Sequence, residues 1–217
     1  MGILKSIFGP SKNEIWSQIA ADMGEEFIEG GFLKGSPALV YKHGEWQIRL
    51  DTYTKDSGNS NRTYTRVRAP FINKDELYFK IYREGFFSDM GKFLGMQDIK
   101  TGDPFFDEQF IIKSNNRKKL KLFLADPKMK ELIQGQPKIH LEIRDDEGWF
   151  GADFPEGVDE LYFECVGVIK ETKRLKSLFD LFSVSLMRLV QIDSAYEDDP
   201  EVDLSRRFQK IKHLYEK

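Results

Sequence analysis

Residues 45–54, EWQIRLDTYT, alternate in character: Trp46, Ile48 and Leu50 on one side, Gln47, Arg49 and Asp51 on the other. Successive side chains of an extended chain point to opposite faces, so this stretch predicts a strand with one face in a core and one turned outward. Residues 138–145 repeat the pattern, with Ile139, Leu141 and Ile143 on one face. Strands of this kind belong to an antiparallel sheet packed on one side. Residues 38–42, 63–69, 76–83, 106–113 and 160–168 read as further strands. The polar stretch KDSGNSNR (55–62) reads as a hairpin loop.

Helical signals lie between these strands. Ser11-Lys12-Asn13-Glu14 is a capping box, and Ile15, Trp16, Ile19, Met23 and Phe27 follow at helical spacing up to Gly30-Gly31. A short helix is expected over 86–94, helical pieces over 117–124 and 128–134, and the longest helix over 173–192. The expected fold is α+β: a mainly antiparallel sheet with helices on one face. The pentamer DELYF occurs at 75–79 and again at 159–163. Each copy follows a helix and a run of strands, which makes two similar helix-plus-meander units an expectation. The organisation read from this is a single domain over 1–195, with halves 1–97 and 98–195. An acidic linker and a terminal amphipathic helix follow within 196–217, the helix anchored by Leu204, Phe208, Ile211 and Leu214.

Composition narrows the function classes. Thirty-three Lys and Arg against 36 Asp and Glu leave a net charge of −3, without the basic imprint of general nucleic-acid binding, so nucleic acid is an unexpected partner. The single cysteine, Cys165, allows no intramolecular disulfide. No apolar run is long enough for a membrane span, and no secretory leader pattern is present, so the expected location is the cytoplasm. Met1-Gly2-Ile3-Leu4-Lys5-Ser6 fits an acylation pattern, but the favoured reading is a short apolar helix, with Ile3, Leu4, Ile7 and Phe8 folded onto the body.

Catalytic motifs fail one by one. The stretch from Gly85 to Lys92 has the wrong glycine spacing for a phosphate loop, and Phe93 replaces its Ser or Thr. Gly30, Gly31 and Gly35 precede no βαβ unit. Cys165 shares a strand face with Leu161 and Phe163, as a core residue would. His43, His140 and His213 lack metal-ligand spacing, and His140 is expected to be solvated on the outer face beside Lys138 and Glu142. No metal and no cofactor are expected. Two acidic stretches remain, TGDPFFDEQF (101–110) and DDEGWFGADF (145–154). Asp103 before Pro104 suits a turn, and Asp107 and Glu108 would point to opposite faces of a strand whose buried row is Phe106, Phe110 and Ile112. Catalysis would need the acids near 103–108 and 145–153 to meet in space.

The run TGDPFFDEQFIIKSNN, followed by KKLKLFLADPKMKELI, resembles a pattern of uncharacterised bacterial proteins: a G-D-P-x-F-D-x-x-F-x-V/I-K strand, a Leu-rich helical stretch and a β-meander. The resemblance covers about residues 98–165. It implies a bacterial source and transfers no catalytic residue.

Two surfaces are candidates for binding. Tyr64, Arg66 and Arg68 share a face of one strand; Arg49, Tyr78 and Lys80 take outward positions on its expected neighbours, with Tyr82 beside them. Such a face suits an anion, an acidic peptide or a single strand of nucleic acid, or is an ordinary face of cross-strand pairs such as Arg with Asp51. The helix 173–192 carries an apolar stripe widened by Leu181, Val184 and Met187. It is either sandwiched between the core and the terminal helix, or the interface of a homodimer. The leading expectation is a non-enzymatic cytoplasmic domain that binds a protein partner or itself. Anion or nucleic-acid binding on the Arg/Tyr face, and an enzyme built on the two acidic stretches, are the alternatives.

Overall fold

The structure, a computed structural model, describes residues 9–31, 36–56, 61–83, 96–145 and 154–204. The expected helix over 86–94, the Gly85–Lys92 stretch, residues 149–153 and the terminal helix beyond Leu204 lie outside the described residues.

Nine strands form one sheet among the described residues: β1 (Glu26–Ile28), β2 (Ala38–His43), β3 (Trp46–Asp56), β4 (Asn61–Ile72), β5 (Phe79–Arg83), β6 (Gln97–Asp98), β7 (Phe110–Ser114), β8 (His140–Arg144) and β9 (Val158–Val166). Their order is β1-β2-β3-β4-β9-β8-β5-β7-β6, and every neighbouring pair is antiparallel. The fold is therefore α+β with a mainly antiparallel sheet. Alternation sets which side is core: Ile48, Leu50, Val67, Phe71, Ile81, Leu141, Ile143, Leu161 and Phe163 are buried together on one face.

The helices supply the rest of that core. In α1 (Lys12–Met23) the capping box forms as the sequence predicts: the Glu14 amide donates to Ser11 Oγ at 3.3 Å and the Ser11 amide to the Glu14 carboxylate at 2.9 Å. The helix stops earlier than Gly30-Gly31. Gly24 adopts φ 71° and its amide bonds back to Ala20 and Ala21, a turn that a side chain would strain. Phe27 then lies in β1 rather than on the helix.

The Phe-rich stretch differs more. The expected strand from 106 begins instead as α2 (Pro104–Gln109), and β7 starts only at Phe110. Asp103 accepts from the Phe106 amide at 3.2 Å, and Pro104 supplies a preset φ for the first helical position. Phe106, Phe110 and Ile112 are buried as expected, but Phe106 arrives from a helix.

Helices α3 (Arg117–Phe123) and α4 (Pro127–Gln134) follow, separated at Asp126-Pro127, and α5 (Thr172–Gln191) is the longest. Helix α5 packs against α3 and α4 as well as the sheet side. Ser185 Oγ lies 3.6 Å from Met129 Sδ, and the Arg188 guanidinium donates to the Leu122 carbonyl at 2.6 Å. The α3–α4 pair thus covers part of α5: Leu181 is fully buried, whereas Val184 and Met187 stay partly exposed. Beyond α5, Ala195 pairs with Asn73 at the end of β4, and residues 202–204 lie beside Arg49 and Pro70.

The two DELYF copies are not equivalent. The second lies inside β9, between β4 and β8; the first contributes only Phe79 to β5, between β8 and β7. Residues 76–78 fail to pair because asparagines take their backbone groups. The Asn115 side chain accepts from the Tyr78 amide and donates to the Glu76 carbonyl, and the Asn73 side-chain Nδ2 donates to the Leu77 carbonyl. The expected halves also interlock: β4 pairs with β9, and β5 sits between two strands of the second half.

Candidate functional site

The face of the sheet opposite the core carries charge from β3 to β7. Antiparallel register sets two rows across it. Asp51, Arg66, Glu164, His140 and Tyr82 stand opposite one another in turn, and Arg49, Arg68, Tyr162, Glu142, Lys80 and Lys113 form the next row. Cross-strand neighbours within each row lie close enough to pair.

Three arginines converge on Asp51. Arg66 donates through Nε at 2.5 Å and Nη2 at 3.2 Å, Arg68 through Nη2 at 2.7 Å, and Arg49 Nε stands 3.5 Å away. Asp51, Arg49 and Arg68 are all buried. Burial alone would raise the Asp51 carboxyl, but Arg68 and Arg66, with Arg49 behind them, hold it down to about 2. Burial lowers the Arg49 guanidinium from its ordinary value, with Asp51 opposing. Tyr53 and Tyr64 stack at 5.3 Å, and Arg66 lies over the Tyr53 ring at 5.2 Å.

A second cluster sits one to two strands away. His140 lies between Glu142, 3.4 Å from its Nε2, and Glu164, 3.5 Å from its Nδ1. Lys80 reaches Glu142 at 2.6 Å, and the hydroxyls of Tyr53 and Tyr162 donate to Glu164. Burial would lower the imidazole, but the two glutamates outweigh it and raise it to about 9. Both glutamates, which burial alone would raise, fall to about 2: Glu142 through His140 and Lys80, Glu164 through His140 and the hydroxyls of Tyr53 and Tyr162. Arg144 pairs with Glu160 at 2.6 Å and lies 3.4 Å over the Tyr162 ring. At neutral pH the imidazole is charged and both carboxylates are ionised. None of the three is poised to gain and lose a proton near pH 7, as a general base would be.

Five of the six residues picked out by sequence, Arg49, Tyr64, Arg66, Arg68 and Lys80, share this face. Tyr78 does not join them: it precedes β5, packs partly buried against the core and directs its hydroxyl at Asp159, 3.4 Å away. Sequence reading missed Glu142, Glu164, Tyr162 and Arg144 as partners, and expected His140 to be solvated. Alternation in 138–145 and 160–166 already puts them on one face; the missing information was that β8 and β9 lie beside β4.

The acids of 101–110 build a turn. Asp107 accepts from the Thr101 amide and hydroxyl, both at 2.8 Å, and from the Gly102 amide at 3.0 Å. Asp103 caps α2 and pairs with Lys130 at 3.0 Å. Lys130 and the Phe106 amide lower the Asp103 carboxyl; Asp107 is lowered by the Thr101 and Gly102 amides against the effect of burial. Of the second acidic stretch only Asp145 and Phe154 are described, so the meeting of the two stretches lies outside the described residues. Cys165 is buried, with Arg174 Nη2 at 3.5 Å, and burial pushes its thiol up.

Among the described residues no cluster of His, Cys, Asp and Glu could hold a metal ion, and no helix is long and apolar enough to cross a membrane. No known protein family matches the chain, and no curated protein matches it. Among solved structures, the mycobacterial trehalose monomycolate transport factor A, TtfA, aligns over 80% of this chain and 95% of its own, with 9% identity and a TM-score of 0.44, a likeness too slight to carry fold or function across.

Proposed function

We propose that the protein is a non-enzymatic cytoplasmic binding domain that recognises a protein partner, or a second copy of itself, through the charged face of its sheet. The observation that supports this is the contrast between the two faces. The core joins one face, while the other carries fixed charges of both signs, buried at the centre and partly open at the rim. Arg66, Lys80, Lys113, His140 and Arg144 keep 18–25% of their side chains exposed. Charges already held by neighbours lose little freedom on binding, and their pattern of sign selects a complementary surface. A stacking platform for single-stranded nucleic acid fits less well, because Tyr64 is only 5% and Arg68 only 2% exposed.

A photo-crosslinking residue placed at Lys113, on the charged face, should form a discrete adduct in bacterial cells expressing the protein. The same residue at exposed Lys176, on α5, is the control. An adduct of twice the chain mass identifies a second copy, and any other mass a partner. Equal labelling from both positions, or none from Lys113, would overturn the proposal.

A further inference from the structure

Strand register extends the charged face along β3 and β4 beyond the Asp51 cluster. Tyr53 stands opposite Tyr64, and Lys55 opposite Arg62. The outward positions of these two strands hold Arg49, Lys55, Arg62, Arg66 and Arg68 against one carboxylate, Asp51. Glu164, opposite Arg66 on β9, is already engaged by His140, Tyr53 and Tyr162. Lys55 and Arg62 are both exposed, and Arg62 forms no ion pair with a described residue. Like charges directly opposite one another weaken a strand pair, and an outside anion relieves that repulsion. The far end of the β3–β4 hairpin is thus a cationic patch on a chain whose net charge is −3.

The same chain carries the complement. Glu197, Asp198, Asp199 and Glu201 are exposed around Pro200, and none of the four pairs with a cation among the described residues. Glu197 lies beside Gly44 in the β2–β3 turn, and residues 202–204 lie beside Arg49. The acidic segment is therefore held at the start of β3. Lys55 lies near the end of that strand, about 30 Å further on at roughly 3.3 Å per residue. Within one chain the segment does not reach the cationic patch. We infer that it reaches the patch of a second copy: two chains pack charged face to charged face with their β3 strands in opposite directions, each laying residues 197–201 on Lys55 and Arg62 of the other. A two-fold axis makes the two contacts identical and closes the assembly as a dimer. The inference rests on the second-copy form of the proposed function and names the surfaces that meet.

Sedimentation equilibrium on the full chain reads the assembly. The contact is made by exposed charges, so the dimer should form at about 50 mM salt and weaken at least about tenfold at about 500 mM. Two charge-reversed variants locate it. Lys55→Glu with Arg62→Glu, and Asp198→Lys with Glu201→Lys, should each weaken self-association by at least about tenfold. Both change exposed side chains, and the second leaves the Asp199 carboxylate free to accept from the residue 201 amide as before. Mixed in equal amounts, the two variants should associate again, because each then meets its opposite charge; an unfolded variant would not. A wild type that stays monomeric up to about 1 mM, either variant as dimeric as wild type, or a mixture no more associated than its parts would each overturn the inference. A monomer that binds poly-glutamate would do so too, and would give the patch to a foreign acidic segment. A Lys113 adduct of another mass, found with a monomeric wild type, would leave the proposed function standing and remove only the dimer.

Discussion

Replacing Asp51 with asparagine probes the charged face at its centre. Asparagine keeps the shape and one carbonyl oxygen but removes the negative charge on which Arg49, Arg66 and Arg68 converge. Two independent estimates give the size of the effect. Removing one partner of a buried ion pair costs about 3–5 kcal/mol, because the remaining charge stays desolvated. The fall of the Asp51 carboxyl from 3.8 to about 2 favours its ionised form over the neutral one by roughly 2.5 kcal/mol. The neutral acid resembles asparagine, so we expect Asp51→Asn to destabilise by about 2.5–4 kcal/mol at pH 7. Urea denaturation measures this, and an unchanged m-value shows that the two proteins unfold between the same states. The pH dependence carries a sign. Because the folded-state value is depressed, the contribution is complete above 3.8 and is lost as the pH falls through about 2. The gap between wild type and variant should therefore shrink as the pH falls towards 2. A loss below about 1 kcal/mol at pH 7, or a gap that does not change with acid, would refute the claim that the arginines depend on this carboxylate.

The His140 imidazole should titrate near 9 by NMR; its contribution is complete below 6.5 and lost as the pH rises through about 9, and a midpoint near 6.5 would show that Glu142 and Glu164 do not clamp it. Phe106→Ala should cost about 3–5 kcal/mol in chemical denaturation, whereas Asp107→Asn should cost about 1–2 through its bonds to Thr101 and Gly102. Arg83 donates to the Gln134 and Gln136 carbonyls and lies 4.6 Å over the Phe110 ring, so Arg83→Lys should cost about 1–2 kcal/mol; a neutral result would show that a point charge replaces the fork.

The residues of each sheet face were legible in the sequence because side-chain alternation has an exact period of two. That is why Arg49, Arg66, Arg68 and Lys80 could be grouped, and why Asp51 could be suggested as a partner across the β3–β4 hairpin. The clamp around His140 was not legible. It needs β9 to lie beside β8 and β4, and long-range strand order leaves no trace in local pattern. Two local misreadings have different causes. At Asp103-Pro104 the same dipeptide starts either a turn or a helix, and the helix won because Asp103 caps the Phe106 amide while both phenylalanines still reach the core. At 76–78 the strand pattern was present, but the side chains of Asn73 and Asn115 took the backbone groups that a neighbouring strand would have paired.

The interlocked strand order has a consequence for synthesis. Tyr64–Ile72 in β4 wait for Val158–Val166, so nine paired positions stay unformed until roughly 90 more residues have been translated. At about 5–20 residues per second, β4 leaves the ribosome some 5–20 s before its partner. During that time it is an open edge rich in β-branched and aromatic side chains, next to a β3 already able to form a hairpin with it. A stop codon anywhere before 158 should therefore yield a product that aggregates or is degraded rather than a folded half.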